Sequence, residues 1–530
     1  MFGAVKRSIF ALRNRCAVVK AKSILTYLNF IAMDKTVEMN ANDLVAFFKK
    51  PASEFTKADI ITFVREKGIR MVDFMYPAED GRVKTLSFMI NNLAYLETIL
   101  TDGERVDGSS LFPSFVEAES SDLYVLPRFR TAFVNPFAEI PTLCLLCSFF
   151  DKDGQPFACS PEQTLHRAAT AFTEATGMTY EAMGELEYYV ITEDDEMFPA
   201  VDQRGYHESG PFAKLGEFRK KCMAYIAQAG GQIKYGHSEV GNFTDDGKVY
   251  EQNEIEFLPC PVESAADQLV IAKWVIRNLA YEYGLDVTFA PKITVGKAGS
   301  GMHIHMRMMK DGRNCMTCDG KLSVEARRAI AGMMVLAPSI TAFGNKTPVS
   351  YFRLVPHQEA PTSVCWGDCN RSVLVRVPLG WTSGKDMCAQ ANVLEQAVKG
   401  DTSQKQTVEM RSPDGSADVY QLMAGLCVAC RYGLEMAESE ALSVADDKYV
   451  GPGQSGNNER FDSLPDSCIA SAACLERQRE MYEAHGVFSP RMLDGIISKL
   501  RSFDDANLRA AAEKDETLMR NLVRGSFYCG

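Results

Sequence analysis

The sequence of 530 residues predicts an α+β fold. Short apolar runs that are typical of strands are mixed along the chain with long runs of helical periodicity, and no internal repeat is present. Hydrophobic residues make up 46% of the chain and charged residues 24%, which is typical of soluble globular proteins and allows a large buried core. At a typical domain length of roughly 150 residues, a chain of this length could form three or four domains.

The first predicted domain, residues 34–159, contains a hairpin. A short helical pattern at residues 58–67 precedes two strand patterns, at residues 69–76 and 83–90, and a turn rich in Pro, Asp and Gly separates the strands. A further strand pattern follows at residues 141–150. The sequence therefore predicts a sheet in this domain.

The second predicted domain, residues 160–530, begins with a helix. Ser160 is a suitable N-cap, and Pro161 suits the first position of a helix over residues 161–175. Further elements are predicted beyond it: strands at residues 186–191, 302–308 and 372–377, and helices at residues 265–283, 324–343 and 419–439. A loop rich in Gly, Asn and Ser is predicted at residues 451–458.

Residues 1–33 form a basic leader. Lysines and arginines are interleaved there with apolar residues, and no acid precedes Asp34. This composition is typical of an organellar presequence, and mitochondrial targeting is the interpretation we favour. A disordered basic tail and a translation start at Met33 are the alternatives, so the expected location is mitochondrial or cytoplasmic.

The net charge of −12 argues against partners that require a basic surface. Nucleic acids and anionic membranes are usually bound by clustered lysines and arginines, so the sequence predicts no nucleic-acid partner. No apolar run reaches the roughly 18 residues that span a bilayer, so no membrane association is expected.

Sixteen cysteines raise the question of disulfides or zinc. They include three Cys-x-x-Cys pairs, which are Cys144/Cys147, Cys315/Cys318 and Cys427/Cys430. The first and last pairs lie in the apolar patterns of a strand and a helix, and the middle pair has no second pair at zinc-site spacing nearby. Reduced, packed thiols in a reducing compartment are therefore predicted, with a zinc or redox site at the middle pair as the alternative.

Three strand-like stretches each place two functional side chains on one face of a strand, because residues two apart point to the same side. The pairs are Glu185 with Glu187, His303 with His305, and Glu409 with Arg411. Two further acids, Glu239 and Glu254, lie in another segment. Several carboxylates with one or two imidazoles suit hard divalent cations such as Mg²⁺ or Mn²⁺. A single Glu-x-Glu pair, however, is more often a solvated strand face.

Arginines embedded in apolar sequence form a second group, comprising Arg353, Arg371 and Arg376. A buried guanidinium without an anionic partner is destabilising, so each of them needs a negative group nearby. Two interpretations are open. The arginines could form structural salt bridges with the glutamates, or they could clamp the phosphate and carboxylate groups of a substrate.

Ten short stretches occur in one order between about residue 60 and about residue 440. They are Asp107-Gly-Ser-Ser110, Glu119-Ser-Ser-Asp122, Gly184-Glu-Leu-Glu187, His237-Ser-Glu239, Gln252-Asn-Glu254, Gly299-Ser-Gly-Met-His-Ile-His305, Ser350-Tyr-Phe-Arg-Leu-Val-Pro356, Glu359-Ala-Pro361, Asn370-Arg-Ser372 and Glu409-Met-Arg-Ser-Pro-Asp414. In these stretches and in their order the sequence resembles the glutamine synthetase family, in its bacterial-type (type I) branch.

The resemblance implies a small β-grasp-like N-terminal domain and a larger catalytic domain with a curved, mainly antiparallel sheet flanked by helices. It also implies a ring-shaped homo-oligomer, usually a dodecamer, with active sites between subunits. The implied activity joins ammonia to the γ-carboxylate of L-glutamate. ATP phosphorylates this carboxylate, and the ammonia that ammonium supplies then attacks the acyl phosphate to give glutamine.

The resemblance further implies a role for each matching residue. Two divalent ions, Mg²⁺ or Mn²⁺, would be held by Glu187, Glu239 and Glu254 and by Glu185, His303 and Glu409. The ATP phosphates would be contacted by His305, Arg371 and Arg376. The glutamate site and its flap would comprise Gly299, Arg353, Glu359 and Arg411. In catalysis, Arg371 would neutralise phosphoryl charge, Glu359 would close over the site to exclude water, and Asp107 would hold ammonium for the adjacent subunit.

Four positions depart from the family's pattern, namely Arg128, Ala298, Arg307 and Thr407. Ala298 stands where an Asn usually contacts glutamate, and the connections 239–254 and 376–409 are longer than usual. The departures affect the parts that choose substrate and nucleotide. They leave two alternatives open: a ligase of the same family that joins glutamate to a larger amine such as a polyamine, or a catalytically silent structural member.

Overall fold

The computed structural model describes residues 35–530, apart from residues 36, 119–120, 356–359, 379–386, 397–402, 457–458 and 513. The predicted leader, residues 1–33, lies outside the described residues, so a mitochondrial or cytoplasmic location stays a prediction. The predicted flap residue Glu359 also lies outside them. Among the described residues, no helix is long and apolar enough to cross a membrane.

The N-terminal part of the chain forms one mixed sheet. Its strands are β1 (Met71–Pro77), β2 (Val83–Met89), β3 (Glu104–Asp107), β4 (Asp122–Pro127), β5 (Phe133–Val134) and β6 (Thr142–Phe150). The order along the sheet is β2-β1-β6-β4-β3, β5 pairs with β6, and β1 and β6 run parallel at its centre. The helices of this part are α1 (Asp43–Phe48), α2 (Lys57–Lys67), α3 (Leu93–Asp102) and α4 (Gly108–Leu111).

Local sequence explains why α2 forms where it was predicted. Thr56 caps its first turn by accepting a hydrogen bond from the backbone N–H of Asp59, and the Asp59 side chain accepts one from the Thr56 backbone in return. This reciprocal capping satisfies two backbone donors at the helix start. Gly68 ends the helix in the left-handed conformation at φ 65°, which glycine adopts without steric strain. The predicted helix over residues 58–67 is therefore confirmed.

A second, larger sheet dominates the rest of the chain. Its strands are β7 (Thr179–Glu193), β8 (Ile233–Asp245), β9 (Lys248–Phe257), β10 (Cys260–Pro261), β11 (Asp286–Thr288), β12 (Met302–Lys310), β13 (Arg313–Asn314), β16 (Trp366–Asp368), β17 (Val375–Val377) and β18 (Val408–Met410). The main path is β16-β17-β18-β12-β7-β9-β8, and along it only β16 and β17 pair in parallel. Strands β14 (Thr317–Cys318) and β15 (Lys321–Leu322) form a separate ribbon.

Helices flank this sheet. They are α5 (Pro161–Thr176), α6 (Gly216–Gln228), α7 (Val262–Glu282), α8 (Val324–Gly344), α9 (Ser350–Arg353), α10 (Met387–Ala391), α11 (Val419–Glu435), α12 (Glu438–Asp447), α13 (Cys468–Arg477), α14 (Arg479–Glu483), α15 (Pro490–Arg501), α16 (Leu508–Ala512) and α17 (Glu516–Ser526). The predicted α+β fold is confirmed, with a curved and mainly antiparallel sheet in the larger part. The domain boundary placed between residues 159 and 160 stays a prediction.

Several predicted elements have different ends in the structure: the strand predicted over residues 186–191, for example, is part of the longer β7, Thr179–Glu193. For two others the hydrogen bonds show the cause. The helix predicted over residues 419–439 ends at Glu435, where the Arg328 guanidinium donates to the carbonyl oxygens of Leu434 and Met436 and so satisfies the exposed helix end. The strand predicted over residues 372–377 begins only at Val375, because the Asn370 side chain accepts hydrogen bonds from Ser372 and holds a turn there.

The helices α8 and α11 cross at two glycines. A Cβ atom on Gly433 would collide with the carbonyl oxygen of Arg328, and one on Gly332 would collide with that of Ala429. Both obstacles are backbone atoms, which cannot swing aside as a flexible side chain can. The close approach of these two helices therefore requires glycine at both positions.

We predict that Gly433→Ala lowers the free energy of unfolding by about 1–3 kcal/mol, because the added methyl overpacks the helix crossing. Urea unfolding would measure the change. The control is Gly525→Ala on α17, where an added Cβ meets no atom within 4 Å, and this variant should be as stable as the wild type. Equal stability of the Gly433 variant and the wild type would contradict the prediction.

The cysteines agree with the prediction of reduced, packed thiols. Every cysteine that the structure describes is a free thiol. The pairs Cys144/Cys147 and Cys427/Cys430 are buried, on a strand and on a helix as predicted. Cys315 is half-buried and Cys318 is exposed. Among the described residues, no cysteine takes part in a cluster that could hold a metal ion, so the zinc alternative gains no support.

Candidate active site

One cavity of about 1030 Å³ opens on the larger sheet. Its lining includes twelve residues singled out in the sequence: Glu185, Glu187, Glu239, Glu254, Gly299, His303, His305, Arg353, Arg371, Arg376, Glu409 and Arg411. Four neighbouring strands, β18, β12, β7 and β9, contribute most of the acids and imidazoles. Segments that lie far apart in the sequence therefore meet in one site.

The strand register explains how the predicted second-ion ligands meet. Glu185 on β7 lies directly opposite His303 on β12. The Glu185 Oε2 and His303 Nδ1 atoms are 3.0 Å apart, and His303 Nδ1 lies 3.5 Å from Glu409 Oε1. One ligand atom from each of the three residues lies within 4.8 Å of the others. This set has the donor types and the spacing that a Mg²⁺ or Mn²⁺ ion requires.

The predicted first-ion ligands are brought together less completely. Ligand atoms of Glu239 and Glu254 lie within 4.8 Å of each other and of His237, which the sequence analysis did not assign as a metal ligand. Glu187 lies opposite Glu254 across the sheet, but its Oε2 accepts hydrogen bonds from the Gly301 backbone and the Gln252 side chain, at 2.8 and 3.1 Å. Glu187 therefore faces the same cavity without joining the tight cluster.

A backbone irregularity positions Glu239. The pairing of β8 with β9 shifts register between Ser238 and Asn242, so residues 239–241 form a bulge that turns Glu239 toward the cavity. Further along the longer connection 239–254, a tight turn joins β8 to β9. Its two central residues, Asp246 and Gly247, have φ of 48° and 72°, the left-handed geometry of a type I′ turn. The longer connection thus extends the hairpin away from the acids.

Crowding of negative charge is strongest at Glu254. Burial raises the pKa of this carboxyl well above its ordinary value, and the nearby carboxylates of Glu185, Glu187 and Glu239 raise it further. A divalent cation would offset this repulsion. The residues present therefore fit the predicted metal sites in charge as well as in donor type.

The His305 ring lies between the side chains of Thr407 and Glu185 and contacts both. Its Nδ1 lies 2.9 Å from Thr407 Oγ1, and its Nε2 lies 2.8 Å from Glu185 Oε1. Burial alone would lower the pKa of His305, but the Glu185 carboxylate outweighs it and raises the pKa above its ordinary value. Thr407, one of the four departures from the family's pattern, therefore orients an imidazole.

We predict that Thr407→Val lowers kcat/KM for ATP by about tenfold, because partners that orient a functional histidine are typically worth 10–100-fold. Steady-state kinetics at varied ATP concentration would measure the effect. Thr407→Ser keeps the hydroxyl and should restore most of the activity. Wild-type kinetics in the valine variant would show that His305 needs no such support.

All four predicted arginines line the cavity, and two of them, Arg376 and Arg411, form ion pairs with Glu409. The Glu409 carboxylate accepts hydrogen bonds from Arg376 Nη1 and Arg411 Nε, at 2.9 and 3.0 Å. Arg353 donates to the carbonyl oxygen of Ser412 at 2.8 Å, and Arg371 is exposed at the cavity. Both interpretations of these arginines, structural pairing and a clamp for anionic groups, are compatible with this geometry.

Gly299 lines the cavity where no side chain would fit. A Cβ atom there would lie 2.6 Å from the carbonyl oxygen of Pro291 and 2.9 Å from Arg353 Cγ. The neighbouring Ala298 is buried, and its methyl group replaces the polar side chain expected from the family's pattern. Its backbone is held by Gln203, which accepts from the Ala298 N–H at 2.7 Å, and by the Tyr189 hydroxyl, which donates to its carbonyl oxygen at 2.9 Å.

Asp107 lies outside the cavity of its own chain. It ends β3 and caps α4, and its carboxylate accepts hydrogen bonds from the hydroxyls of Ser109 and Ser110 at 2.7 and 2.6 Å. These hydrogen bonds lower the pKa of Asp107 to about 2, so the exposed carboxylate is ionised at neutral pH. Such a fixed, exposed charge is available to a neighbouring molecule.

The sequence analysis assigned no role to Glu256 or Gln252. Both lie on β9 at even spacing from Glu254, and both line the cavity. The rule that paired Glu185 with Glu187 applies here as well, since residues two apart on a strand share a face. The signal was therefore present in the sequence, but the resemblance drew attention to Glu254 alone.

Two further residues that depart from the family's pattern, Arg128 and Arg307, form ion pairs within the chain. Arg128 forms a bidentate ion pair with Asp267 on α7, with N···O distances of 2.9 and 2.8 Å. Arg307 pairs with Glu181 and donates to the carbonyl oxygen of Gln404 at 2.6 Å, so it fixes the backbone beside the cavity. Neither arginine therefore needs a substrate anion as its partner.

Comparison with known proteins agrees with this geometry. The family described as "Glutamine synthetase, catalytic domain" matches residues 158–519, and "Glutamine synthetase, beta-Grasp domain" matches residues 68–152. A glutamine synthetase from Frankia alni is 30% identical over 497 residues, covering 86% of this chain and 97% of that protein. One from Thermus thermophilus is 29% identical over 444 residues, covering 82% and 92%.

Solved structures share the fold. A Plasmodium falciparum glutamine synthetase superposes with a TM-score of 0.71 at 17% identity, covering 87% of this chain and 98% of that one. A chain described as apo GmaS gives 0.68 at 19% identity, covering 84% and 96%. The β-grasp domain and the family's typical ATP and metal binding agree with the two sheets and the acidic clusters described above. The chain therefore belongs to the glutamine synthetase family of ligases, and its bacterial relatives are consistent with the type I branch.

Proposed function

We propose that this chain joins ammonia to the γ-carboxylate of L-glutamate, using ATP and passing through γ-glutamyl phosphate, and so makes glutamine. One observation carries the proposal. The two predicted ion sets and the four predicted arginines line a single cavity of about 1030 Å³. This combination suits a reaction in which a phosphoryl group moves to a carboxylate.

In the proposed reaction, the acidic residues, the arginines and Glu359 have different roles. Two Mg²⁺ or Mn²⁺ ions, when bound at the two acidic sets, would supply positive charge to the transferred phosphoryl group. Arg371 and Arg376 would neutralise phosphate oxygens, and the Glu409 carboxylate fixes the direction of Arg376. Arg353 and Arg411 would hold the carboxylate groups of glutamate. Glu359, which lies outside the described residues, would close over the site and exclude water, which would otherwise hydrolyse the acyl phosphate.

Ammonium would be held by Asp107 of a neighbouring copy. The Asp107 carboxylate is exposed and ionised and does not line the cavity of its own chain, which is compatible with service to another subunit. It would attract ammonium and favour release of its proton to give the ammonia that attacks. The proposal therefore includes a ring-shaped homo-oligomer, such as a dodecamer, with active sites between subunits.

The test compares two amines. Purified enzyme is given ATP, glutamate, Mg²⁺ and either ammonium or putrescine, and both phosphate release and the amide product are measured. We expect turnover with ammonium at several-fold to many-fold the rate with putrescine. Phosphate release with putrescine alone would replace this proposal by ligation of a larger amine, the alternative that the departure at Ala298 motivates. No turnover with either amine would favour a silent member of the family.

A further inference from the structure

We propose that Gln203 is a positioning residue for the amino-acid substrate, and that it supports the backbone of Ala298 in place of the polar side chain that the family's pattern has there. Ala298 precedes Gly299, which lines the cavity and belongs to the predicted glutamate site. The inference rests on the proposed function in taking glutamate as the substrate. It deepens that function by adding a residue from a segment to which the sequence analysis assigned no role.

Both polar backbone groups of Ala298 are held by side chains. Gln203 Oε1 accepts a hydrogen bond from the Ala298 N–H at 2.7 Å, and the Tyr189 hydroxyl donates one to the Ala298 carbonyl oxygen at 2.9 Å. The next carbonyl oxygen, that of Gly299, accepts a hydrogen bond from Gln252 Nε2 at 3.0 Å. The peptide groups on both sides of Ala298 are therefore fixed, and with them the direction in which Gly299 presents its backbone to the cavity.

The Ala298 side chain makes no polar contact of its own. It is a methyl group, which neither donates nor accepts a hydrogen bond, and the residue is only 3% exposed. At this position a bound amino acid is therefore recognised through backbone groups. Such groups bind well only when they are held in the productive direction, so the side chains that orient them contribute to affinity.

The Gln203 backbone has a conformation that is unusual for a residue with a Cβ atom. Its φ of 56° lies in the left-handed region, which costs energy for residues other than glycine. The Gln203 N–H donates to the carbonyl oxygen of Asn242 at 2.8 Å. Strained conformations persist where several contacts over-determine them, and they cluster at binding sites. Here the backbone contact to Asn242 and the side-chain contact to Ala298 hold the residue from two sides.

The connection that carries Gln203, residues 194–215 between β7 and α6, lies against the bulge that turns Glu239 toward the cavity. The Gly205 N–H donates to the carbonyl oxygen of Val240 at 3.2 Å. A Cβ atom on Gly205 would lie 2.5 Å from the carbonyl oxygen of Glu239, so the two backbones are in close contact. Gln203 therefore extends from a segment that is attached to the cavity wall, as a positioning side chain requires.

Only one polar atom of the Gln203 side chain accounts for its placement. The Nε2 atom is buried and has no hydrogen-bond partner among the described residues. A buried donor without a partner is unfavourable, so the contact that favours this arrangement is the one that Oε1 makes with Ala298. Gln203→Glu would keep an acceptor oxygen and remove the unpartnered donor, whereas Gln203→Met would keep the length of the side chain without an acceptor.

The first test measures hydrogen exchange of the Ala298 amide in the full-length protein without substrates, by mass spectrometry with fragmentation to single residues. Gln203→Met should speed this exchange by roughly two- to tenfold, the equivalent of one net hydrogen bond. Gln203→Glu should keep the wild-type rate. The matched control is Asp202→Asn in the same connection, which removes only an exposed ion pair with Lys297 and should also keep the wild-type rate.

The second test compares the Michaelis constants of the two substrates. Gln203→Met should raise KM for glutamate by roughly two- to tenfold and leave KM for ATP unchanged, whereas a general loss of structure would affect both. Gln203→Glu should restore most of the affinity for glutamate. Unchanged exchange of the Ala298 amide in Gln203→Met, or an unchanged KM for glutamate, would overturn the inference. If the wild type forms no glutamine, the proposed function fails, and the exchange rates alone then decide the inference.

Discussion

Glu185→Gln is expected to lower kcat by about 10²–10³-fold, because in the proposed reaction it removes one of the charges that would hold the divalent ions beside the phosphoryl group. The Glu185 carboxylate contacts both His303 and His305 and so connects two parts of the site. A neutral glutamine keeps the size of this side chain but supplies one acceptor oxygen in place of two. The loss should therefore appear in kcat and also in the affinity for Mn²⁺.

Measurement of glutamine formation and Mn²⁺ binding on the same preparation would check this result. The matched control is Glu193→Gln, on the same strand β7 but at its exposed end, and it should retain wild-type activity. A Glu185 variant with activity within tenfold of the wild type would show that Glu185 does not hold an ion needed for the reaction.

Asp267→Asn is expected to lower the free energy of unfolding by about 3–5 kcal/mol, the range found when one partner of a buried ion pair is removed. The Asp267 carboxylate on α7 accepts hydrogen bonds from Nη1 and Nη2 of Arg128. Arg130 forms a second ion pair with it, at 2.9 Å. The Tyr420 hydroxyl donates to the same carboxylate at 2.7 Å. The variant would leave two partly buried guanidinium groups without their main anion.

Urea unfolding would measure this loss. An exposed carboxylate provides the control: Asp494 pairs with Arg479 at the surface, and Asp494→Asn should change stability by less than about 1 kcal/mol. Similar effects of the two substitutions would contradict a structural role for the buried pair.

The ion pair between Asp267 and Arg128 also predicts how stability depends on pH. Burial would raise the pKa of Asp267, but the Arg128 and Arg130 guanidinium groups outweigh burial and lower the pKa below its ordinary value. A carboxyl with a lowered pKa in the folded state stabilises the fold fully above its unfolded-state pKa of about 3.9, and this contribution is lost as the pH falls through the lower folded value. The stability difference between wild type and Asp267→Asn should therefore shrink below about pH 4. A difference that stays constant down to pH 2 would contradict this assignment.

The alternation of side chains along a strand made part of the site predictable. Glu185 and Glu187, and likewise His303 and His305, share a face because strand residues two apart point to one side, and the structure brings these pairs into one cavity. The short motifs, together with the arginines embedded in apolar sequence, supplied the rest of the twelve lining residues. The fold class followed from the same periodicities and from the resemblance.

Long-range pairing was beyond prediction from the sequence. Asp267 lies 139 positions from Arg128, and nothing in the local sequence of either residue identifies the other as its partner. Glu239 reaches the cavity through a bulge, a register shift that residue spacing does not reveal. Thr407 acquires its role only because β18 lies beside β12, which places its hydroxyl next to His305.

The most direct test of the proposed reaction follows an oxygen atom. Enzyme is incubated with ATP, ¹⁵N-ammonium and L-glutamate that carries ¹⁸O in its γ-carboxylate, and the released phosphate and the amide product are analysed by mass spectrometry. If ATP phosphorylates the γ-carboxylate and ammonia displaces the phosphate, each released phosphate carries one ¹⁸O atom and the glutamine carries ¹⁵N in its amide. Phosphate without ¹⁸O, released at the rate of amide formation, would contradict a γ-glutamyl phosphate intermediate.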